Sequence, residues 1–201
     1  MRSRCWVRAS LLLAVLGVAC GSTDEDVASK ASQYGCKNSQ PWVSGDDTGY
    51  ERCDGNWGHR SAVLACPSSV PRTDFTCPKS TGGCTTDADC SGTPHGFCSI
   101  DSPGTCHCAS GCTEDADCPS GFICLCLQPV GQCVEASCTS DADCPSGNLC
   151  ASYSSKPDCG PMRFRCQQGD DACAGDDDCP GGESCTVESG HRVCTKAVCY
   201  Y

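Results

Sequence analysis

The chain has 201 residues, of which 26 are cysteine, 22 glycine and 12 proline, while aromatic residues make up only 6%. Its formal net charge of −11 excludes an electrostatic grip on nucleic acid or on anionic headgroups. Cysteine stands above the ~8 to 10% that marks a disulfide scaffold, so the chain belongs in an oxidising compartment and a reduced cytosolic setting is excluded.

Arg2, Arg4 and Arg8 precede an apolar run from Ala9 to Ala19, the layout of an export signal over residues 1–19. The run is about half the ~20 residues of a permanent transmembrane helix. It ends in Leu16-Gly-Val-Ala19-Cys20, which resembles the lipobox of bacterial lipoproteins, where a cysteine after a small residue is acylated and becomes the new amino terminus. Ordinary cleavage after Ala19 is the alternative. Cysteine parity favours lipidation: without Cys5 and with Cys20 acylated, 24 of the 26 cysteines remain, an even number that leaves no exposed odd thiol. The expected location is therefore outside the cytoplasm, on the outer-membrane, periplasmic or surface face, with the membrane held through lipid on Cys20. Removing the signal takes three arginines and no acid, leaving 11 basic against 25 acidic residues and a net charge of −14.

Residues 20–35 are polar, acidic and free of cysteine after Cys20, and read as a lipidated tether. An amino-terminal module over 36–83 carries Cys36, Cys53, Cys66 and Cys77 together with Trp42 and Trp57. Within it Asp54-Gly55 lies between two short runs, a turn signal that predicts a β-hairpin. Trp42, Tyr50 and Trp57, beside Arg52, His59 and Arg60, have two readings: a carbohydrate or peptide surface, or the small apolar core of a module that must bury what it has. Pro67, Pro71 and Pro78, followed by Lys79-Ser-Thr-Gly-Gly83, punctuate the exit.

Four repeats follow, at 84–111, 112–137, 138–172 and 173–201, each opening on a phrase such as Cys112-Thr-Glu-Asp-Ala-Asp-Cys118-Pro-Ser-Gly-Phe-Ile-Cys124. Starts at 84, 112, 138 and 173 are 28, 26 and 35 residues apart, an array irregular outside its opening. The phrase predicts a tight turn whose aspartates bond amides two or three residues on. A turn at Pro-Ser-Gly then leads into a short strand, with at most one helical turn per repeat. Each repeat holds five cysteines: Cys84, Cys90, Cys98, Cys106 and Cys108; Cys112, Cys118, Cys124, Cys126 and Cys133; Cys138, Cys144, Cys150, Cys159 and Cys166; Cys173, Cys179, Cys185, Cys194 and Cys199. Five is odd, so full pairing sends at least one sulfur of each window outside it. Cross-linking of neighbouring repeats into a stiff rod is the expectation drawn from this, the connectivity itself not being legible. Beyond the signal only four leucines and two isoleucines remain, too few for a conventional core, so all 24 of these cysteines are disulfide candidates and the bridges are the fold.

Cys138-Thr-Ser-Asp-Ala-Asp-Cys144-Pro-Ser-Gly-Asn-Leu-Cys150, with Cys159 and Cys166, resembles the amino-terminal cysteine-rich domain of the Dickkopf family. The same phrase is similar to half of a whey-acidic-protein four-disulfide core. Those families imply receptor antagonism and protease inhibition, and both carry an adjacent Cys-Cys pair that this chain lacks. The lipobox-like start, the Thr48-Gly-Tyr-Glu-Arg-Cys53 module and the Asp-x-Asp-Cys repeats together resemble cysteine-rich bacterial lipoproteins of myxobacterial type, which implies a location.

Several sites remain to be weighed. The aspartates Asp87/Asp89, Asp115/Asp117, Asp141/Asp143 and Asp176 to Asp178 suggest calcium, but no repeat offers the full Asp-x-Asp-x-Asp-Gly…Glu loop, and turn capping explains the same residues. Cys106-His107-Cys108 and Cys124-Leu-Cys126, with His59, His95 and His191, suggest a soft metal, yet Cys-x2-Cys knuckles are missing. No nucleophile elbow, zincin or phosphate-loop motif occurs, so neither a catalytic residue nor a cofactor is assigned and no enzyme is expected. The fold class expected is small and disulfide-rich, with short β-hairpins and turns, minimal helix and an array of four cysteine-rich repeats. The function expected is a binding or structural protein of the cell envelope, its partner an envelope or extracellular protein or a glycan. Protease inhibition is the alternative, and calcium or metal binding a weaker one. The third-repeat loop Ala151-Ser-Tyr-Ser-Ser-Lys-Pro-Asp158 is a candidate presenting edge or an ordinary solvated loop.

Overall fold

The computed structural model describes residues 35–43, 46–54, 57–67, 71–77, 83–101, 104–145, 147–154 and 162–196. The signal segment, Cys20, the tether up to residue 34, Cys159, Cys199 and the 155–158 part of the third-repeat loop lie outside them. Among the described residues no helix is long and apolar enough to cross a membrane.

The amino-terminal module forms β1 (Gln40–Pro41), β2 (Tyr50–Cys53) and β3 (Trp57–Arg60), with β2 and β3 paired antiparallel around the expected Asp54 turn. Each repeat then builds the same unit once: a 3-10 turn, then a hairpin. The turns are Asp87–Cys90, Asp115–Asp117, Asp141–Asp143 and Asp176–Asp178. The hairpins are β4 (Phe97–Asp101) with β5 (Thr105–Ala109), β6 (Phe122–Leu125) with β7 (Gln132–Glu135), β8 (Cys150–Ser154) with β9 (Met162–Cys166), and β10 (Glu183–Glu188) with β11 (His191–Lys196). Pro-x-Gly connects turn to hairpin because its glycine accepts a left-handed backbone. Gly121, Gly147 and Gly182 have φ of 83 to 85°, and the Phe122 N–H donates to the Pro119 carbonyl at 3.0 Å, a type II turn.

Bridging is regular. Across each hairpin the third cysteine faces a later one, the fifth in repeats one to three and the fourth in repeat four: Cys98 opposite Cys108, Cys124 opposite Cys133, Cys150 opposite Cys166 and Cys185 opposite Cys194. These neighbours do not join each other. The third bonds back to the first (Cys84–Cys98, Cys112–Cys124, Cys138–Cys150, Cys173–Cys185) and the one facing it to the second (Cys90–Cys108, Cys118–Cys133, Cys144–Cys166, Cys179–Cys194). Two side-by-side bridges thus clamp the opening turn onto its hairpin. A bridge closing 12 residues removes about 3 kcal/mol of chain entropy from the unfolded state, which is how a unit with almost no aliphatic core holds together.

The odd cysteine departs from expectation. It does leave its window in the first two repeats, but Cys106 bonds to Cys77 and Cys126 to Cys66. Both partners belong to the amino-terminal module, and no bridge among the described residues joins one repeat to its neighbour. The module, stapled internally by Cys36–Cys53, is a hub onto which the first two repeats are fastened, and for these two the expected cross-link between neighbouring repeats is corrected; the odd Cys159 and Cys199 of repeats three and four lie outside the described residues. The reason is positional. The stretch from Cys66 to Cys77 runs alongside the first two repeats, its Cys66 and Cys77 amides donating to the Thr113 and Thr85 carbonyls at 2.7 and 2.8 Å, and this brings each sulfur within bonding reach.

Among the described residues repeat three joins the hub by backbone, β8 pairing with β3, and repeat four joins repeat three, β10 pairing with β8. One seven-stranded sheet runs β1-β2-β3-β8-β10-β11, with β9 paired to β8, while β4-β5 and β6-β7 stand as separate ribbons. The largest buried cluster gathers Tyr50, Ile123, Leu125 and Phe164 around six cysteines. Tyr50 meets Phe164 edge to face at 5.6 Å and donates its hydroxyl to the Cys124 carbonyl at 2.8 Å; burial pushes that phenol well above its ordinary range. A second cluster around the first repeat is cysteine, apart from a half-buried Phe75.

Candidate functional site

The aspartates of the opening phrase divide into two roles. The second one in each repeat reaches backwards: Asp89 accepts the Thr85 and Thr86 amides at 2.7 and 2.9 Å, Asp117 those of Thr113 and Glu114, Asp143 those of Thr139 and Ser140, and Asp178 those of Ala174 and Gly175. These are the residues expected to hold the turn, but the direction differs from the expectation. A carboxylate three places into a helical turn faces the unpaired amides at its start, so the bonds run back by three or four residues. The Thr86-x-x-Asp89 and Ser140-x-x-Asp143 spacing, a capping-box signature, carried that signal. Amide hydrogen bonds hold the Asp89 and Asp117 carboxyls below the usual range; for Asp143 the Thr139 hydroxyl contributes most and the amides next.

The first aspartate reaches forward to the third cysteine. Asp87 accepts the Cys98 amide, Asp115 the Cys124 amide, Asp141 the Cys150 amide and Asp176 the Cys185 amide, at 2.9, 2.9, 2.7 and 2.8 Å. In three repeats the same carboxylate also meets a basic side chain from the hub. Arg72 donates Nη2 to Asp87 Oδ1 at 2.8 Å and Nε to Oδ2 at 3.0 Å, with its backbone amide on Oδ2 at 2.8 Å. Arg60 Nη1 donates to both Asp115 oxygens at 2.9 and 2.8 Å while its guanidinium lies 4.8 Å over the Tyr50 ring. His59 Nδ1 sits 2.7 Å from Asp141 Oδ2. The guanidinium of Arg72 holds the Asp87 carboxyl down at about 2, helped by the Arg72 and Cys98 amides and opposed by burial.

Adjacent residues on a strand face opposite ways, so β3 can place His59 against repeat three and Arg60 against repeat two from one position between them. Arg60 is fully buried and His59 nearly so, at 0 and 6% exposure. Further pairs bind the repeats to each other: His95 to Asp117 at 3.4 Å and Arg163 to Glu135 at 3.1 Å. Repeat four is pinned by the buried Arg192, which donates to the Ala174 and Ala151 carbonyls at 3.0 Å and lies 3.7 Å from Asp171; burial lowers that guanidinium to about 10.

The other residues singled out from sequence fall into place around these contacts. Tyr50 and Trp57 are buried, at 1 and 7% exposure, so they are core and the glycan-surface reading of that trio loses its rings. Trp42 is half-buried beneath Arg52, 5.7 Å from its ring centre. All four sulfurs of Cys106-His107-Cys108 and Cys124-Leu-Cys126 are spent in bridges, which removes them as soft-metal ligands. The described hollow of note was not anticipated: a shallow groove of about 350 Å³ between repeats two and three, lined by Phe122, Glu135, Ser137, Tyr153 and Phe164. Phe122 is 39% exposed there. Its parts lie 42 residues apart in sequence, from 122 to 164, and only the docking of two repeats brings them together.

Fold and contacts together define a stapled array of hairpin repeats clasped by an amino-terminal hub. Compared with protein-family models, curated proteins and solved structures, the chain matches none.

Proposed function

We propose that the protein is an exported, lipid-anchored binding scaffold of the cell envelope, held to the membrane through Cys20. The observation that carries this reading is covalent: 11 disulfides among the described residues, with cysteine the commonest buried residue there, suit an oxidising compartment, where such bridges form and persist. A rigid stapled body also suits binding, because little order has to be imposed on its loops when a partner arrives. Contacts to an envelope or extracellular protein, or to a glycan, fall on the exposed repeats, with the Phe122 groove as one surface of suitable shape.

Cell fractionation tests the reading. The wild-type chain is expected in the membrane fraction, with metabolic fatty-acid label at Cys20 and no titratable thiol after denaturation. Cys20→Ala is expected to lose the label and move to the soluble envelope fraction with its bridges intact. Recovery of wild-type protein from the cytosol with free thiols would overturn the proposal.

A further inference from the structure

Three of the four first aspartates are filled by the hub, and the fourth is open. Asp176 is built like its sisters: it lies at the start of the same 3-10 turn and accepts the Cys185 amide at 2.8 Å. The Cys173–Cys185 and Cys179–Cys194 bridges hold that turn as in the other repeats. Asp87, Asp115 and Asp141 are buried or half-buried under Arg72, Arg60 and His59, whereas Asp176 is exposed, and among the described residues no cation lies in salt-bridge range of it. Repeats one to three therefore act as internal comparisons, in which the same carboxylate at the same place in the same unit ligates a basic side chain.

We propose that the Asp176 carboxylate of repeat four is a docking socket for an arginine carried on an extended segment of a partner protein. The chemistry of the occupant is read from the filled sockets. Two hold a guanidinium, and two are entered from a strand, β3. At Asp87 the incoming residue contributes its backbone amide as well as its guanidinium, the donor pattern of an extended chain. Arginine suits the site because its planar fork engages both carboxylate oxygens. The surroundings add charge of the right sign: Asp177 and Asp178 follow directly, the chain carries a net −11, and such a field speeds encounter with a basic segment. That same net charge opposes a second copy of this chain as occupant. The proposal names a partner chemistry for the binding role above, and its test is independent of membrane location.

The probe is a capped peptide copying residues 48–62 of the hub with Cys53→Ser, paired with the same peptide bearing Arg60→Gln. Each is titrated into the full disulfide-bonded chain at low salt, with backbone amide resonances followed by NMR. The arginine peptide is expected to shift the Cys185 and Asp176 amides saturably. The glutamine peptide, or 150 mM added salt, should weaken binding by up to about fivefold, the upper end of the range of an exposed ion pair. Asp176→Asn keeps an oxygen for the Cys185 amide and removes the charge, so it should keep the fold, seen as unchanged bridges and a dispersed spectrum, yet lose the same fivefold. Glu188→Gln, at an exposed acid on the far end of β10, should bind as wild type. No saturable shift at Cys185, or equal binding by the Asp176→Asn protein, would overturn the proposal, as would self-association of the wild type that Asp176→Asn abolishes, since the occupant would then be a second copy.

Discussion

Replacing Asp87 by asparagine tests the hub contacts most directly, because it keeps the side chain's size and removes its charge. In the wild type Asp87 accepts four hydrogen bonds, two from the Arg72 guanidinium and one each from the Arg72 and Cys98 amides. An asparagine oxygen can serve one side of that arrangement, while its amide group would point N–H toward N–H on the other. The carboxyl is 2% exposed and held at about 2 against an ordinary value of 3.8, so the charged form contributes about 2 kcal/mol to the folded state. Because the folded value is depressed, that contribution is nearly complete above pH ~4 and is lost as pH falls through about 2. Thermal unfolding with all bridges intact is the assay. At pH 6 Asp87→Asn is expected to melt lower by about 4 to 8 °C, taking the usual shift per kcal/mol for a chain of this size. At pH 2 the gap should narrow to a small remainder, because wild-type Asp87 is then about half neutral. A gap of the same size at both pH values would refute the ion pair as the cause, and a gap absent at pH 6 would refute the clasp between Arg72 and repeat one.

Gly121→Ala should destabilise by about 1 to 2 kcal/mol, the cost of a left-handed backbone for a residue with Cβ: its φ is +84° and an added methyl would meet no atom within 4 Å. Gly181→Ala, equally open but without positive φ, should leave the melting temperature nearly unchanged, and circular dichroism on both variants checks the contrast. The double variant Cys66→Ala/Cys126→Ala releases a loop of 60 residues and should lower stability by about 4 kcal/mol. Mass mapping of its unreduced fragments should still find Cys112–Cys124 and Cys118–Cys133.

Much of the repeat was legible from local chemistry. Pro-Ser-Gly announces a turn, the two-aspartate phrase announces a capped helical turn, and the scarcity of leucine and isoleucine announces that cysteine must form the core; each depends on residues a few places apart. Parity went one step further, since five cysteines per window require an outside partner. Which partner was a question of space. Cys66 and Cys77 lie 60 and 29 residues from the sulfurs they meet, and no spacing rule reaches that far.

The same division runs through the aspartates. Position in the phrase makes Asp89, Asp117, Asp143 and Asp178 equivalent, and they behave so, because their partners are the amides of their own turn. Asp87, Asp115, Asp141 and Asp176 are equally matched in sequence, yet among the described residues three take a basic side chain and one takes none, since the second partner comes from the hub, from β3 for Asp115 and Asp141 and from Arg72 beyond it for Asp87, and reaches only the repeats the hub touches. The sequence by itself therefore determined the repeat, its turn and its reliance on cysteine for a core, all products of short-range chemistry. Tertiary structure alone decided that the first module is a hub, that His59 and Arg60 are buried clasps, that Phe122 and Phe164 share a groove, and that one socket of four faces solvent, because each depends on how rigid units meet.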